Sequence, residues 1–113
     1  MVKPSFFSGA VVLLSVAAFS SSDAHAQTRS GRAAFHLSSR SLTTCARYEP
    51  VGSILRVTNP QSGKTITVKV TGRGPYNGNR ILDLSTGSFS ALYGGLGRGH
   101  GPVRYTVVKR ARG

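Results

Sequence analysis

Between residues 53 and 108, apolar and polar side chains alternate in short stretches with the period of two that marks half-buried β-strands. Lys64-Thr-Ile-Thr-Val-Lys-Val70 alternates strictly and directs Ile66, Val68 and Val70 to one face. Ser53-Ile-Leu-Arg-Val-Thr58 precedes it across Asn59-Pro60-Gln61-Ser62-Gly63, a run of turn-forming residues, so the two predict a β-hairpin. Pro102 to Lys109 predicts a further strand with Val103, Tyr105 and Val107 alternating. Arg80-Ile-Leu-Asp-Leu84 predicts another, although apolar residues at 81, 82 and 84 leave its two faces unseparated. Upstream, Gly31-Arg-Ala-Ala-Phe-His-Leu37 predicts one short strand with Ala33, Phe35 and Leu37 on one face.

One stretch carries helical signals. Ser85 is a good N-cap residue, Phe89 and Leu92 share a face at helical spacing, and Gly94-Gly95 ends the helix opened at Thr86. Thr71 to Asn79 and Gly97 to Gly101 predict loops. The glycine run from Gly94 to Gly101 follows a helix and opens a strand, the reverse of a dinucleotide fingerprint, so no nucleotide role attaches to it. Short strands with one short helix predict a mainly β domain, a small barrel or sandwich. Its expected core is Leu55, Val57, Ile66, Val68, Val70, Ile81, Leu82, Leu84, Val103, Tyr105 and Val107.

The first 26 residues read differently. A single charge at Lys3, an apolar run from Phe6 to Phe19 and Ala24-His25-Ala26 form the pattern of a secretory signal peptide, with cleavage expected after Ala26. The run is shorter than the roughly 20 residues of a spanning helix. Position 27 is Gln, so no Cys stands there to take a lipid, and neither a transmembrane nor a lipid anchor is expected. The chain then divides into a signal peptide (1–26), a polar segment (27–41), a β-domain (42–109) and a basic tail (110–113). A periplasmic or secreted protein, soluble and monomeric, is the expectation.

Charge narrows the chemistry. The net charge is +12, with three acids in the whole chain, Asp23, Glu49 and Asp83. Calcium and two-metal sites need more carboxylates than this, and one Cys with His36 and His100 makes a poor zinc set. No metal and no cofactor are expected. The basic residues are dispersed, which argues against a specific nucleic-acid groove; polyanion binding through charge alone would be salt-sensitive. Cys45 cannot form an internal disulfide and reads as a small buried hydrophobe, or else as a partner in an intermolecular disulfide. Each His reads as solvated or satisfied rather than as a ligand.

Four segments in order, Gly52-Ser-Ile-Leu-Arg-Val-Thr-Asn59, Gly63-Lys-Thr-Ile-Thr-Val-Lys-Val70, Gly72-Arg-Gly-Pro-Tyr76 and Arg80-Ile-Leu-Asp-Leu-Ser85, resemble the rare lipoprotein A family, and Pro102-Val-Arg-Tyr-Thr-Val107 fits its last strand. The resemblance spans about residues 42–108. It implies a six-stranded double-psi β-barrel with one short helix, and peptidoglycan glycan strands as the partner. Some members of that family are lytic transglycosylases. The chain departs from the family's pattern at two places: Gly72 stands where an acid is usual, and Ala46 where a His is usual. The family's upstream Gly-Glu segment has no counterpart either.

Asp83 is the acid that survives and is the candidate catalytic residue. Ordinary glycosidases need two carboxyl groups, whereas a lytic transglycosylase uses the sugar's own 6-hydroxyl as nucleophile and can work with one. The alternative for Asp83 is a structural carboxylate accepting backbone N–H bonds beside Ser85. Arg73 and Tyr76, on the Gly-rich stretch, are the candidate substrate-binding residues, through a guanidinium fork and an aromatic face. Glu49 is expected to pair with Arg47 or Arg56 at the surface. Three functions stay open: a lytic transglycosylase, an expansin-like barrel that binds glycan without cutting it, and a basic exported interaction domain.

Overall fold

A computed structural model describes residues 28–36 and 38–112. The expected signal peptide, its cleavage site and Leu37 lie outside the described residues. Six strands, β1 (Thr28–Phe35), β2 (Thr43–Ala46), β3 (Ile54–Thr58), β4 (Thr65–Arg73), β5 (Arg80–Leu84) and β6 (His100–Lys109), close into one barrel in the order β1-β5-β2-β4-β3-β6. One helix, α1 (Thr86–Tyr93), joins β5 to β6. Two pairs, β1 with β5 and β2 with β4, run parallel, and the other four pairs are antiparallel.

The hairpin forms as the alternation predicts. Leu55 faces Val68 and Val57 faces Ile66, which turns the branched side chains of both strands to the barrel interior. Val68, Val70, Leu55, Val57, Leu82, Leu84, Val103 and Tyr105 are buried, while Ile66 and Val107 pack against them from partly buried positions. The mixed run in β5 has a local explanation. Leu82 and Leu84 point inward, and Ile81 on the other face is covered because Gly31 of β1 has no side chain: a Cβ there would lie 3.0 Å from Ile81 Cγ2.

The helix closes one part of the barrel. The Ser85 side chain accepts from Ser88 N–H, and Gly94 ends the helix in the left-handed conformation at φ 79°, where its N–H returns to Ser90 O. Phe89 and Leu92 are buried, and Phe89 stacks between Phe35 and Tyr93 with centroids 5.0 and 4.5 Å away. Tyr93 Oη donates to Pro102 O at 2.6 Å, and Asn59 Nδ2 donates to Leu92 O at 3.2 Å, which tie the helix to β6 and to the hairpin turn.

Three boundaries move. β1 starts at Thr28 and pairs with both β5 and β6, so the barrel reaches into the polar segment set apart at 27–41. Its charged and small side chains hide it from a hydrophobicity pattern, and backbone pairing on both edges holds it. β4 runs on to Arg73 and β6 begins at His100; both extend into stretches whose glycines predict loops. Glycine weakens a strand without forbidding one that is paired on both sides.

Candidate functional site

β2 lies between β5 and β4, and register sets three positions in one row across them: Asp83 opposite Cys45, and Cys45 opposite Gly72. The neighbouring row is Leu82, Ala46 and Arg73. Asp83, Cys45 and Gly72 are all half-buried, whereas Thr44, Leu84, Leu82 and Ala46 beside them are buried. The row therefore belongs to the outer face of the barrel, with the core immediately beneath it.

Asp83 is held by a cation. Arg80 Nη2 donates to its Oδ1 at 2.7 Å, with 15% of the Asp83 side chain and 37% of the Arg80 side chain exposed. Among the described residues this is the hydrogen bond its carboxylate makes; backbone N–H groups do not take part, unlike the structural role expected for it. Arg80 Nε is buried and has no hydrogen-bond partner among the described residues. A buried donor in that state costs about 1–3 kcal/mol. Arg47, one strand over, donates to Gly78 O at 2.8 Å and to Arg80 O at 3.4 Å, which fixes the loop ahead of β5.

Gly72 and Cys45 fit each other. A Cβ at position 72 would lie 2.9 Å from Cys45 Sγ, so the thiol occupies the room that a side chain there would need. Burial first, and then the charge of Asp83, push the Cys45 thiol above its ordinary value. The thiol is half-buried rather than buried as expected, and it is a poor nucleophile, since reactivity follows the thiolate.

Arg73 and Tyr76 are both exposed, Tyr76 by 66%. Arg73 ends β4 one position beyond Gly72, and the chain then turns through Gly74 and Pro75, both buried, to Tyr76. The structure thus brings Asp83 and Arg73 to neighbouring rows of β5-β2-β4, and Tyr76 lies in the loop beyond β4. It shows no bond between Asp83 and either Arg73 or Tyr76.

Glu49 is where the sequence reading fails. The expected surface pair with Arg47 or Arg56 does not form. The Glu49 side chain is completely buried; it accepts from Arg29 Nε at 3.0 Å and from Tyr105 Oη at 2.8 Å, and it also bonds Arg110. Burial, followed by the hydrogen bond and charge of Glu49, pushes the Tyr105 hydroxyl upward. Arg29 also stacks on Tyr48 at 4.3 Å, with Arg47 at 5.6 Å from the same ring. No local signal marks Glu49, because its three partners come from β1, β6 and the tail. Sealed among cations, it cannot serve as a second carboxyl for Asp83. The histidines stay apart: His36 is exposed, and His100 accepts from Arg32 Nη2 at 2.7 Å. No group of three His, Cys, Asp or Glu able to hold a metal exists among the described residues.

Known proteins share this architecture. Solved structures of similar fold include an expansin of Clavibacter michiganensis, at TM-score 0.61 and 22% identity, covering 77% of this chain and 53% of that one. They also include the Streptomyces papain inhibitor, at TM-score 0.59 and 18% identity, covering 74% and 96%. Both are double-psi β-barrels. In sequence, the chain is 41% identical over 69 residues to a probable endolytic peptidoglycan transglycosylase RlpA of Nostoc sp., covering 61% of this chain and 18% of that protein. It is 40% identical over 67 residues to the endolytic peptidoglycan transglycosylase RlpA of Campylobacter jejuni, covering 59% and 24%. The chain thus aligns with about a fifth of the length of these relatives. Residues 35–105, the barrel from the end of β1 to the middle of β6, match the lytic transglycolase family, and the chain belongs to it.

Proposed function

We propose that this protein is an exported barrel that binds the glycan strands of peptidoglycan across the β5-β2-β4 face, with Arg73 and Tyr76 as sugar contacts. The relatives' names supply the substrate class. Signal-peptide cleavage after Ala26 would deliver the protein to the periplasm or the medium, where it works as a monomer. An exposed Tyr offers a stacking face for a sugar ring, and Arg73 offers donors to hydroxyl or carboxylate groups.

The observation that carries binding ahead of cutting is the state of Asp83. Its Oδ1 is engaged by Arg80, and the other described acid, Glu49, is sealed away. Family membership favours a second reading, in which Asp83 acts alone. Its carboxyl would give a proton to the glycosidic oxygen as that bond to the anomeric carbon breaks. The sugar's 6-hydroxyl would form the new bond to the same carbon, and its proton would return to Asp83. The product would be a 1,6-anhydro sugar, with no water consumed.

Incubating the protein with intact and denuded peptidoglycan separates these readings. Sedimentation with the glycan and no 1,6-anhydro ends by mass spectrometry is the expected result, and the Arg73→Ala, Tyr76→Ala double variant should lose sedimentation. Anhydro products that vanish in Asp83→Asn would establish the second reading. Failure to sediment with either form of glycan overturns both.

A further inference from the structure

Three of the six exposed large hydrophobic residues among the described residues gather at one end of the barrel: Leu42 at 45%, Val51 at 51% and Val108 at 50% exposure. Lysines join them. Lys69 N–H donates to Leu42 O at 3.1 Å, Lys69 stands opposite Ile54 on β3, and Ile54 stands opposite Lys109, the neighbour of Val108. Val51 lies just ahead of β3, where Gly52 N–H bonds Val70 O, the residue after Lys69. One row across β2-β4-β3-β6 therefore reads Thr43, Lys69, Ile54, Lys109, with Leu42, Val51 and Val108 at its margin. Neither lysine has an ion pair among the described residues; Asp83 is bound by Arg80, and Glu49, buried two positions ahead of Val51, is bound by Arg29 and Arg110.

We infer that this end of the barrel is a docking surface for an anionic phospholipid bilayer. Three aliphatic side chains exposed together leave water favourably, and lysines around them fit a surface that is apolar in depth and anionic at its rim. The same composition counts against a protein partner. Protein interfaces are enriched in aromatic residues and Arg and depleted in Lys, whereas this patch is aliphatic with Lys, and the tyrosines Tyr48 and Tyr76 are not part of its row. A single-stranded nucleic acid would need stacking rings, which the row also lacks. Each lysine near an anionic surface contributes about 1 kcal/mol, and the net charge of +12 adds long-range attraction.

The chain has no Trp, so a single introduced indole reports its own position. Val51→Trp and Val108→Trp should each shift their emission to the blue when full chain meets phosphatidylglycerol vesicles, and brominated lipid should quench them. Leu96→Trp, on the connection after α1, should stay unchanged. The Lys69→Gln, Lys109→Gln double variant should weaken the response at either site roughly thirtyfold, and phosphatidylcholine vesicles should give little response. Silent Trp signals at 51 and 108 while the chain still sediments with vesicles would overturn the inference, since binding would then reside elsewhere, residues 1–27 included. An equal response to neutral vesicles, or one that the lysine variant leaves intact, would overturn it as well.

Discussion

Asp83 and Glu49 are both carboxylates held by arginine, yet they stand in opposite relations to solvent. Asp83 sits on the outer face of β5, keeps 15% of its side chain exposed and has one cationic partner three residues away. Glu49 is fully buried, has two arginines and a tyrosine, and joins the β2–β3 connection to β1, β6 and the tail. The difference separates two tasks for one functional group. A carboxylate with every position taken and no solvent holds chain segments together, and removing it leaves the buried Tyr105 hydroxyl without its acceptor. A carboxylate with one oxygen free at a half-open row can meet a ligand, and its pairing with Arg80 makes it part of a surface rather than of a core.

The sharpest way to break the comparison is to remove Glu49. Glu49→Ala takes the acceptor from the buried Tyr105 hydroxyl and leaves a cavity in its place, and stability should fall by about 3–5 kcal/mol in urea denaturation. A loss below about 1 kcal/mol would place Glu49 with ordinary surface acids. Next comes Gly72→Asp, which introduces an acid into the row beside Asp83. Overpacking against Cys45 Sγ should cost about 1–3 kcal/mol, and Cys45→Ala should recover most of it. If the single and the double variant melt alike, the thiol does not occupy that space.

Asp83→Asn should cost less, about 1 kcal/mol, because solvent reaches both partners. The barrel should stay folded by circular dichroism, which leaves its glycan sedimentation interpretable. The smallest effect is on pH dependence. The Cys45 thiol is raised above its ordinary value of 9.0 by burial and then by Asp83. A group raised in the folded state contributes stability below its unfolded pKa and loses it as pH climbs through the folded one, so this contribution should fade above about pH 9. Asp83→Asn removes the second cause. Ellman's reagent at pH 8 should react faster with that variant than with the parent, and slower with the folded parent than with the denatured chain.

Much of the barrel is legible one strand at a time. Ile66, Val68 and Val70 alternate, and β4 pairs with β3 as that alternation requires; Ser85 and Gly94 cap α1 where their side-chain and backbone preferences put them. Asp83, Arg73 and Tyr76 are also legible as candidates, through the resemblance. Their arrangement is less so. Strict alternation would set positions 80 and 83 on opposite faces, so nothing in the β5 pattern announces the Arg80–Asp83 bond. The Gly72–Cys45 fit depends on a register shift between Thr44 and Cys45 in the parallel pair, and parallel pairing leaves no hairpin signal.

The sequence by itself determined the β3–β4 hairpin, the inward faces of β3, β4 and β6, where the single helix begins and ends, and the family that the chain resembles. All of these rest on residues close together along the chain, or on segments in a fixed order. Only the tertiary structure decided that β1 closes the barrel, that Glu49 is buried and that Asp83 is left without a second acid. Those outcomes depend on partners 20, 56 and 61 positions apart, as the bonds of Glu49 show. A local pattern reports which face of an element is apolar, and it carries no record of which other element will cover a polar side chain on that face.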